Sequence, residues 1–179
     1  MTDETVLIAQ LINVQTREKA FRKLISLYKE RLYWHIRKIV ISHDDTDDVL
    51  QNTFIKIYKN IGKFKQESKL FSWMYRIATN EAITFINKRA KYRNVDISEV
   101  QKHIVGALEN DVYFSGEEIQ EILQKAIASL PQKQQLVFNM KYFDDLKYTQ
   151  ISEILGTSVG ALKASYFHAV KKIESYIKK

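Results

Sequence analysis

Apolar residues recur along this chain three and four positions apart, with charged residues between them. From Arg17 to Val40 they fall at Phe21, Leu24, Ile25, Tyr28, Leu32, Ile36 and Val40, which is one stripe of a helix. From Thr46 to Ile61 the inward set Val49, Leu50, Phe54, Ile57 and Ile61 predicts a second helix. Asp45 or Thr46 is its expected cap, Asp47 and Asp48 suit the positive end of its dipole, and Gly62 is its expected stop. A third helix follows Ser68, carries Leu70, Met74, Ile77, Ala78 and Phe85, and ends in the basic run Lys88, Arg89, Lys91 and Arg93. Periodicity weakens from Tyr92 to Phe114, although Val95, Ile97, Val100, Ile104, Val105 and Leu108 make the stretch too apolar for a free polar linker, so it reads as a connector that docks when a partner is present.

The pattern restarts at Ser115, which stands in capping-box spacing with Glu118 and opens a helix expected to reach Ser129. Pro131 fits the first turn of the next helix, to Tyr142. Two shorter helices follow, Tyr148–Leu155 and Ser158–Tyr176. Between them Gly156 sits where the chain turns sharply, because glycine takes positive φ at little cost. Ser158 caps the second, with Val159, Leu162, Tyr166, Ala169 and Ile173 inward. This is helix-turn-helix spacing. The outward face, with Gly160, Ala161, Lys163, Ala164, Phe167, His168 and Lys171, is small enough to let a backbone approach a groove and carries cations for phosphates or base edges.

Composition narrows the class. Five glycines and one proline among 179 residues leave too few turn residues for hairpins, so the expected fold is all-α. It divides into two small helical domains, residues 1–91 and 115–179, joined by a connector over 92–114, with the helix-turn-helix in the second. With 45% hydrophobic and 27% charged residues the chain is too apolar for disorder. The absence of cysteine excludes disulfides, zinc–thiolate sites and cysteine nucleophiles, and the scattered His35, His43, His103 and His168 form no H-x-x-x-H pair. No metal and no cofactor is expected. Nor is an enzyme: there is no Ser/His/Asp arrangement, no carboxylate pair in an apolar setting and no phosphate-cradling glycine loop. No run of about 18 apolar residues exists and the acidic start is not a secretory signal, so the expected location is the cytoplasm, without membrane insertion. Lys and Arg number 28 against 21 Asp and Glu, a net charge of +7, which favours a polyanionic partner: nucleic acid first, an acidic membrane surface second.

Two clusters in the first half stand out against that charge. Asp44 through Phe54 is an acidic, polar helix start. Part of it complements the dipole. The rest fits a basic protein partner better than DNA, whose phosphates it repels. Between Phe64 and Arg93, Phe64, Phe71, Trp73, Tyr75 and Phe85 alternate with Lys63, Lys65, Lys69, Arg76, Lys88, Arg89 and Lys91. Aromatics among cations are what single-stranded DNA needs, since bases stack on rings at about 1–3 kcal/mol each while cations follow the backbone. An aromatic stripe at helical spacing also builds core, and Phe71, Met74, Ile77 and Phe85 are expected to be buried.

The stretches Asp45–Lys56, Leu70–Ala82, Ser129–Phe138 and Tyr148–Tyr166, in that order, resemble the small two-domain sigma factors of bacterial RNA polymerase, the extracytoplasmic-function group of the sigma-70 family. The resemblance implies a factor that directs core RNA polymerase to promoters and helps open the minus-10 element. It implies that Asp45, Asp48, Gln51 and Asn52 meet the clamp helices of the polymerase's largest subunit, with Phe54 behind them. It implies that Lys63, Lys69, Trp73, Arg76, Asn80, Lys88 and Arg89 serve the minus-10 strand, with Asn80 beside a flipped base. It assigns Ser158, Ala161, Lys163, Ala164, Ser165, His168 and Lys171 to minus-35 duplex, while the second domain rests on the polymerase flap. It also implies an anti-sigma factor that masks both domains. Ser165 stands where the family often has arginine, so phosphate contacts and groove shape carry more of the reading. Lys147 replaces a capping serine, which predicts a frayed helix start. Two rivals remain open at this stage: a stand-alone helix-turn-helix regulator, which leaves the acidic and aromatic–basic helices unused, and a protein-binding helical adaptor, which leaves the basic run unexplained.

Overall fold

The computed structural model describes residues 3–94 and 118–178, and among these every regular element is helical. In chain order they are α1 (Asp3–Ile12), α2 (Arg17–Val40), α3 (His43–Asn60), a 3-10 turn (Ile61–Lys63), α4 (Leu70–Arg93), α5 (Glu118–Ala128), α6 (Gln132–Tyr142), α7 (Tyr148–Leu155) and α8 (Val159–Ile177). The residues expected to form the connector over 95–114, and Ser115 with its capping box, lie outside the described residues.

The period of three and four explains the first half. Leu24, Leu32, Ile36 and Val40 of α2, Val49, Leu50, Phe54 and Ile57 of α3, and Leu70, Met74 and Ala78 of α4 are all buried, and the three helices pack pairwise. Helix α1 lies on α2 and buries Leu7, Ile8 and Leu11. Its ten residues, fewer than three turns, are too few for a helical period to stand out in the sequence. Arg17 fastens the α1–α2 turn, donating from Nε to the Leu11 carbonyl at 2.9 Å and from Nη2 to the Ile12 carbonyl at 2.9 Å.

Several ends differ from expectation. Helix α3 starts three residues early: its N-cap is Ser42, whose hydroxyl accepts from the Asp45 amide at 3.4 Å, so Asp45 and Thr46 lie within the helix and the acidic first-turn residues are Asp44 and Asp45. It ends at Asn60, and Gly62 falls inside the following 3-10 turn instead of stopping the α-helix. Helix α4 continues to Arg93, past the boundary expected at 91, and closes on Asn94 at φ 52°, a left-handed cap that asparagine tolerates. Pro131 is the N-cap of α6 instead of its first residue. The Lys147 amide donates to Gln150 Oε1 at 3.0 Å, so the start of α7 keeps half of a capping box and is not frayed.

The turn between α7 and α8 follows the sequence closely. Gly156 takes φ 63°, and the Ser158 hydroxyl accepts from the Ala161 amide at 3.3 Å. Leu162, Ala169 and Ile173 are buried, while Val159 and Tyr166 are half-buried. Phe138 stacks on Tyr166 with centroids 5.7 Å apart, which joins α6 to α8. A small core of Ala126, Ile127, Leu130, Phe138, Ala169 and Ile173 holds α5 and α6 on α8. The larger core runs on from the first half into the second, through Leu136, Met140, Ile151 and Ile154. Helix α4 packs against α7, and α2 against α6.

Candidate polymerase and nucleic-acid interfaces

The acidic end of α3 is built by its inward stripe. With Val49, Leu50, Phe54 and Ile57 fixed in the core, helical periodicity turns Asp44, Asp47, Asp48, Gln51, Asn52 and Ile55 to solvent. Asp48, Gln51 and Asn52 are thus exposed as a candidate protein-docking face requires. Beside them a trough between α2 and α3 is lined by Phe21, Ile25, Phe54, Ile55 and Tyr58, with Ile55 and Tyr58 open to solvent. Acid beside exposed apolar surface suits a basic amphipathic helix. Asp45 is different. It is half-buried and ion-paired with Arg89 at the far end of α4, so these two candidates satisfy each other.

On α4 the structure divides the aromatic–basic cluster. Phe71 and Met74 are buried as expected, and Phe64 and Tyr75 are buried with them, so those two rings belong to the core and are withdrawn as stacking platforms. Arg31 sits over the Phe71 ring at 4.3 Å. Burial, with the nearby Asp144 charge, pushes the Tyr75 phenol up. Ile77 and Phe85 are half-buried where burial was expected. Trp73 is half-buried and tilted against Phe64 with centroids 5.1 Å apart, so one part of the indole remains accessible. Lys63, Lys69, Asn80 and Lys88 are exposed. Arg76 is exposed too, yet its guanidinium is engaged: Nε donates to the Glu153 carbonyl of α7 at 3.1 Å, and Nη2 donates to the same oxygen.

On α8, Ser158, Ala161, Lys163, Ala164, His168 and Lys171 are exposed, and Ser165 is half-buried. The sequence-assigned face is therefore a continuous outward strip apart from Ser165. Phe167, placed on that face but not assigned a contact, is 57% exposed, with the Lys171 ammonium 5.7 Å from its ring.

A polar cluster that sequence reading missed lies between the halves. Asp144, in the turn after α6, is almost fully buried. It pairs with Lys38 and lies 3.1 Å from His35 Nδ1, both on α2. His35 Nε2 lies 2.8 Å from the Thr79 hydroxyl on α4. Burial works against ionisation of Asp144, but the His35 hydrogen bond and the His35 and Lys38 charges outweigh it and hold the carboxyl below its usual range. Partners more than 100 positions apart leave no local pattern to read.

Among the described residues no cluster of three His, Asp or Glu side chains could hold a metal ion, and no helix is long and apolar enough to cross a membrane. The exposed chemistry belongs to surfaces: acid and amides on α3, cations and an amide on α4, small residues and cations on α8.

Comparison with known proteins matches both halves. The Sigma-70 region 2 family model fits residues 24–92, and the Sigma-70, region 4 model fits residues 120–173. The ECF RNA polymerase sigma factor SigW of Bacillus subtilis (strain 168) is 32% identical over 155 residues, which cover 82% of this chain and 82% of that protein. Among solved structures, a chain in the complex of CnrH with the cytosolic domain of CnrY superposes with a TM-score of 0.71 at 18% identity, covering 98% of this chain and 97% of that one. A chain in the complex of the sigma factor RpoE with the anti-sigma factor NepR from Bartonella quintana gives 0.68 at 19% identity, covering 89% and 98%. At those identities the two structures speak for the fold.

Proposed function

Because the chain belongs to the ECF sigma factors of the sigma-70 family, which are not enzymes and which initiate transcription with RNA polymerase, we propose a residue-level division of labour for that task. Residues 1–93, to the end of α4, form the polymerase-clamp and minus-10 domain, the stretch from there to 114 the connector, and 115–179 the minus-35 domain.

The observation that carries this reading is the sorting of exposed chemistry by helix. On α3, Asp48, Gln51 and Asn52 offer carboxylate and amide groups beside the apolar trough, and they dock on the clamp helices of the polymerase's largest subunit. Asp45 supports that face from beneath through Arg89 instead of touching the polymerase. On α4 and the segment before it, Lys63, Lys69, Lys88 and Arg76 follow the backbone of the non-template strand, Trp73 stacks, and Asn80 receives a base on its amide. On α8, Ala161 and Ala164 let the helix backbone approach the major groove, Lys163, His168 and Lys171 take phosphates or base edges, and Ser158 caps the end that enters. The second domain also rests on the polymerase flap.

No group in this chain breaks a covalent bond. Opening DNA costs a few kcal/mol for each unstacked step. Base stacking and the amide pocket offset that cost, while two tethered sites and the polymerase raise the effective concentration of each contact. The protein acts in the cytoplasm, where polymerase and promoter are found. As RpoE of Bartonella quintana has the anti-sigma factor NepR, this chain is held by an anti-sigma factor that masks both domains.

The test is reconstitution. Core RNA polymerase, promoter DNA and the purified chain should yield transcripts from a defined start and a permanganate-reactive bubble. Transcription that proceeds equally without the chain would reject the reading.

A further inference from the structure

The two halves of the chain meet through more than apolar contact. Asp144 enters from the turn between α6 and α7 and pairs with Lys38 and His35 of α2, with a side chain only 6% exposed. Arg31, also on α2, reaches the Asp144 carbonyl at 3.5 Å, and the Lys38 ammonium lies 5.3 Å from the neighbouring Phe143 ring. The Asn139 amide of α6 donates to the Lys38 carbonyl at 3.5 Å. On the other side of the same interface Arg76 of α4 is tied to the Glu153 carbonyl of α7. Yet Ala161, Lys163, Ala164, His168 and Lys171 on α8 stay open.

This packing cannot hold while both promoter elements are engaged. Their names place them about 25 base pairs apart, which is roughly 85 Å of duplex at 3.4 Å per pair. A compact chain of this length has a radius of gyration of about 16 Å. The 23 residues between Asn94 and Glu118 are enough to span roughly 80 Å when extended. The halves must part for the reach to suffice.

We infer that Asp144 is an intramolecular latch: seated between Lys38 and His35, it holds a closed form of the chain that can read duplex DNA through α8 but withholds Arg76 from the opened strand. A buried carboxylate fixes register where apolar contact alone does not, and truncating it leaves the Lys38 charge under the interface without its partner. The inference rests on the assignment of α4 to strand capture.

The test uses the full chain without polymerase, comparing wild type, Asp144→Ala and the exposed neighbour Asp145→Asn as control. Small-angle scattering reads opening. Labelled mixed-sequence single-stranded DNA and mixed-sequence duplex read the two surfaces. Asp144→Ala should raise the radius of gyration from about 16 Å to above about 20 Å. It should also tighten single-strand binding about tenfold, as expected if about a tenth of wild-type molecules are open, with duplex affinity changed less than about twofold. Asp145→Asn should match wild type. If Asp144→Ala loses helical circular dichroism, Lys38→Glu serves as the opening variant, and Lys38→Glu combined with Asp144→Lys should restore the compact radius. A wild-type radius in a folded Asp144→Ala or Lys38→Glu chain overturns the latch and leaves strand capture standing. An enlarged radius with unchanged single-strand affinity overturns the masking, and if Arg76→Ala then also binds single strands like wild type, the strand-capture role of Arg76 falls with it.

Discussion

Asp45 at the start of α3 and Arg89 near the end of α4 form an ion pair, although one belongs to the candidate polymerase face and the other to the candidate strand face. Both side chains are partly exposed, so solvent screens the pair and its contribution is about 0.5 kcal/mol. A double-mutant cycle of Asp45→Ala and Arg89→Ala in thermal unfolding should give a coupling of that order, shrinking in high salt. Strict additivity would mean the two helices are held without it. In the same cycle Asp45→Ala should weaken polymerase binding far less than changes at Asp48.

The exposed end of α3 makes the sharper polymerase prediction. Asp48→Lys with Gln51→Ala should abolish binding to core polymerase while the melting temperature stays within a few degrees of wild type, because both side chains are solvent-exposed. Wild-type binding measured by gel filtration or fluorescence anisotropy would move the docking face elsewhere.

Asn80 is exposed on α4. Asn80→Ala should slow bubble formation on promoter DNA by about tenfold or more, corresponding to the ~1.4 kcal/mol of one good hydrogen-bonded base contact. Binding to minus-35 duplex should be unaffected. Equal losses in both assays would argue for a fold defect or a general charge effect.

Gly156 holds φ 63° with open space where a Cβ would project, so the cost of a side chain there is backbone strain alone. Gly156→Ala should destabilise the second half by about 1 kcal/mol, and Gly156→Asn by less, because asparagine tolerates the left-handed region. Denaturant melts of the full chain read both. Equal stability of all three would mean the turn relaxes to another geometry.

Acid provides a check on Asp144. Its carboxyl is held below the usual range in the folded chain, against the opposing effect of burial, by the His35 hydrogen bond and the charges of His35 and Lys38. Such a group contributes stability in full above its unfolded value of about 3.9, and the contribution is lost as pH falls through the lower folded value. The stability difference between wild type and Asp144→Asn should therefore be present in full at about pH 5 and shrink below about pH 4. A difference that persists undiminished at lower pH would show that packing, not ionisation, sets it.

Most of the helical frame is legible in the sequence because burial imposes period. The stripes of α2, α3 and α8 could be read residue by residue, and the Gly156 turn and Ser158 cap were local chemistry in plain view. The cap of α3 was misread because Asp45 and Thr46 are as capable of capping as Ser42, and propensity alone does not rank them. The aromatics near α4 show a different limit. Phe64 and Tyr75 alternate with cations as a strand-binding surface would, yet they are core, since sequence spacing does not say which side of a helix a second helix will cover. Trp73, Arg76 and Asn80 could be nominated but not sorted. Asp144 could not be nominated at all, because its meaning comes from Lys38 and His35 on a distant helix.

Arg76 meets the main-chain oxygen of residue 153, not its side chain. Every amino acid supplies that oxygen, so replacements at 153 leave the tie in place as long as α7 keeps its path. With α7 in place, substitution removes this contact at the arginine and not at its acceptor, and the arginine is also a residue proposed to meet DNA. One tie between the halves and one proposed promoter contact then share a codon, so a change at position 76 touches both.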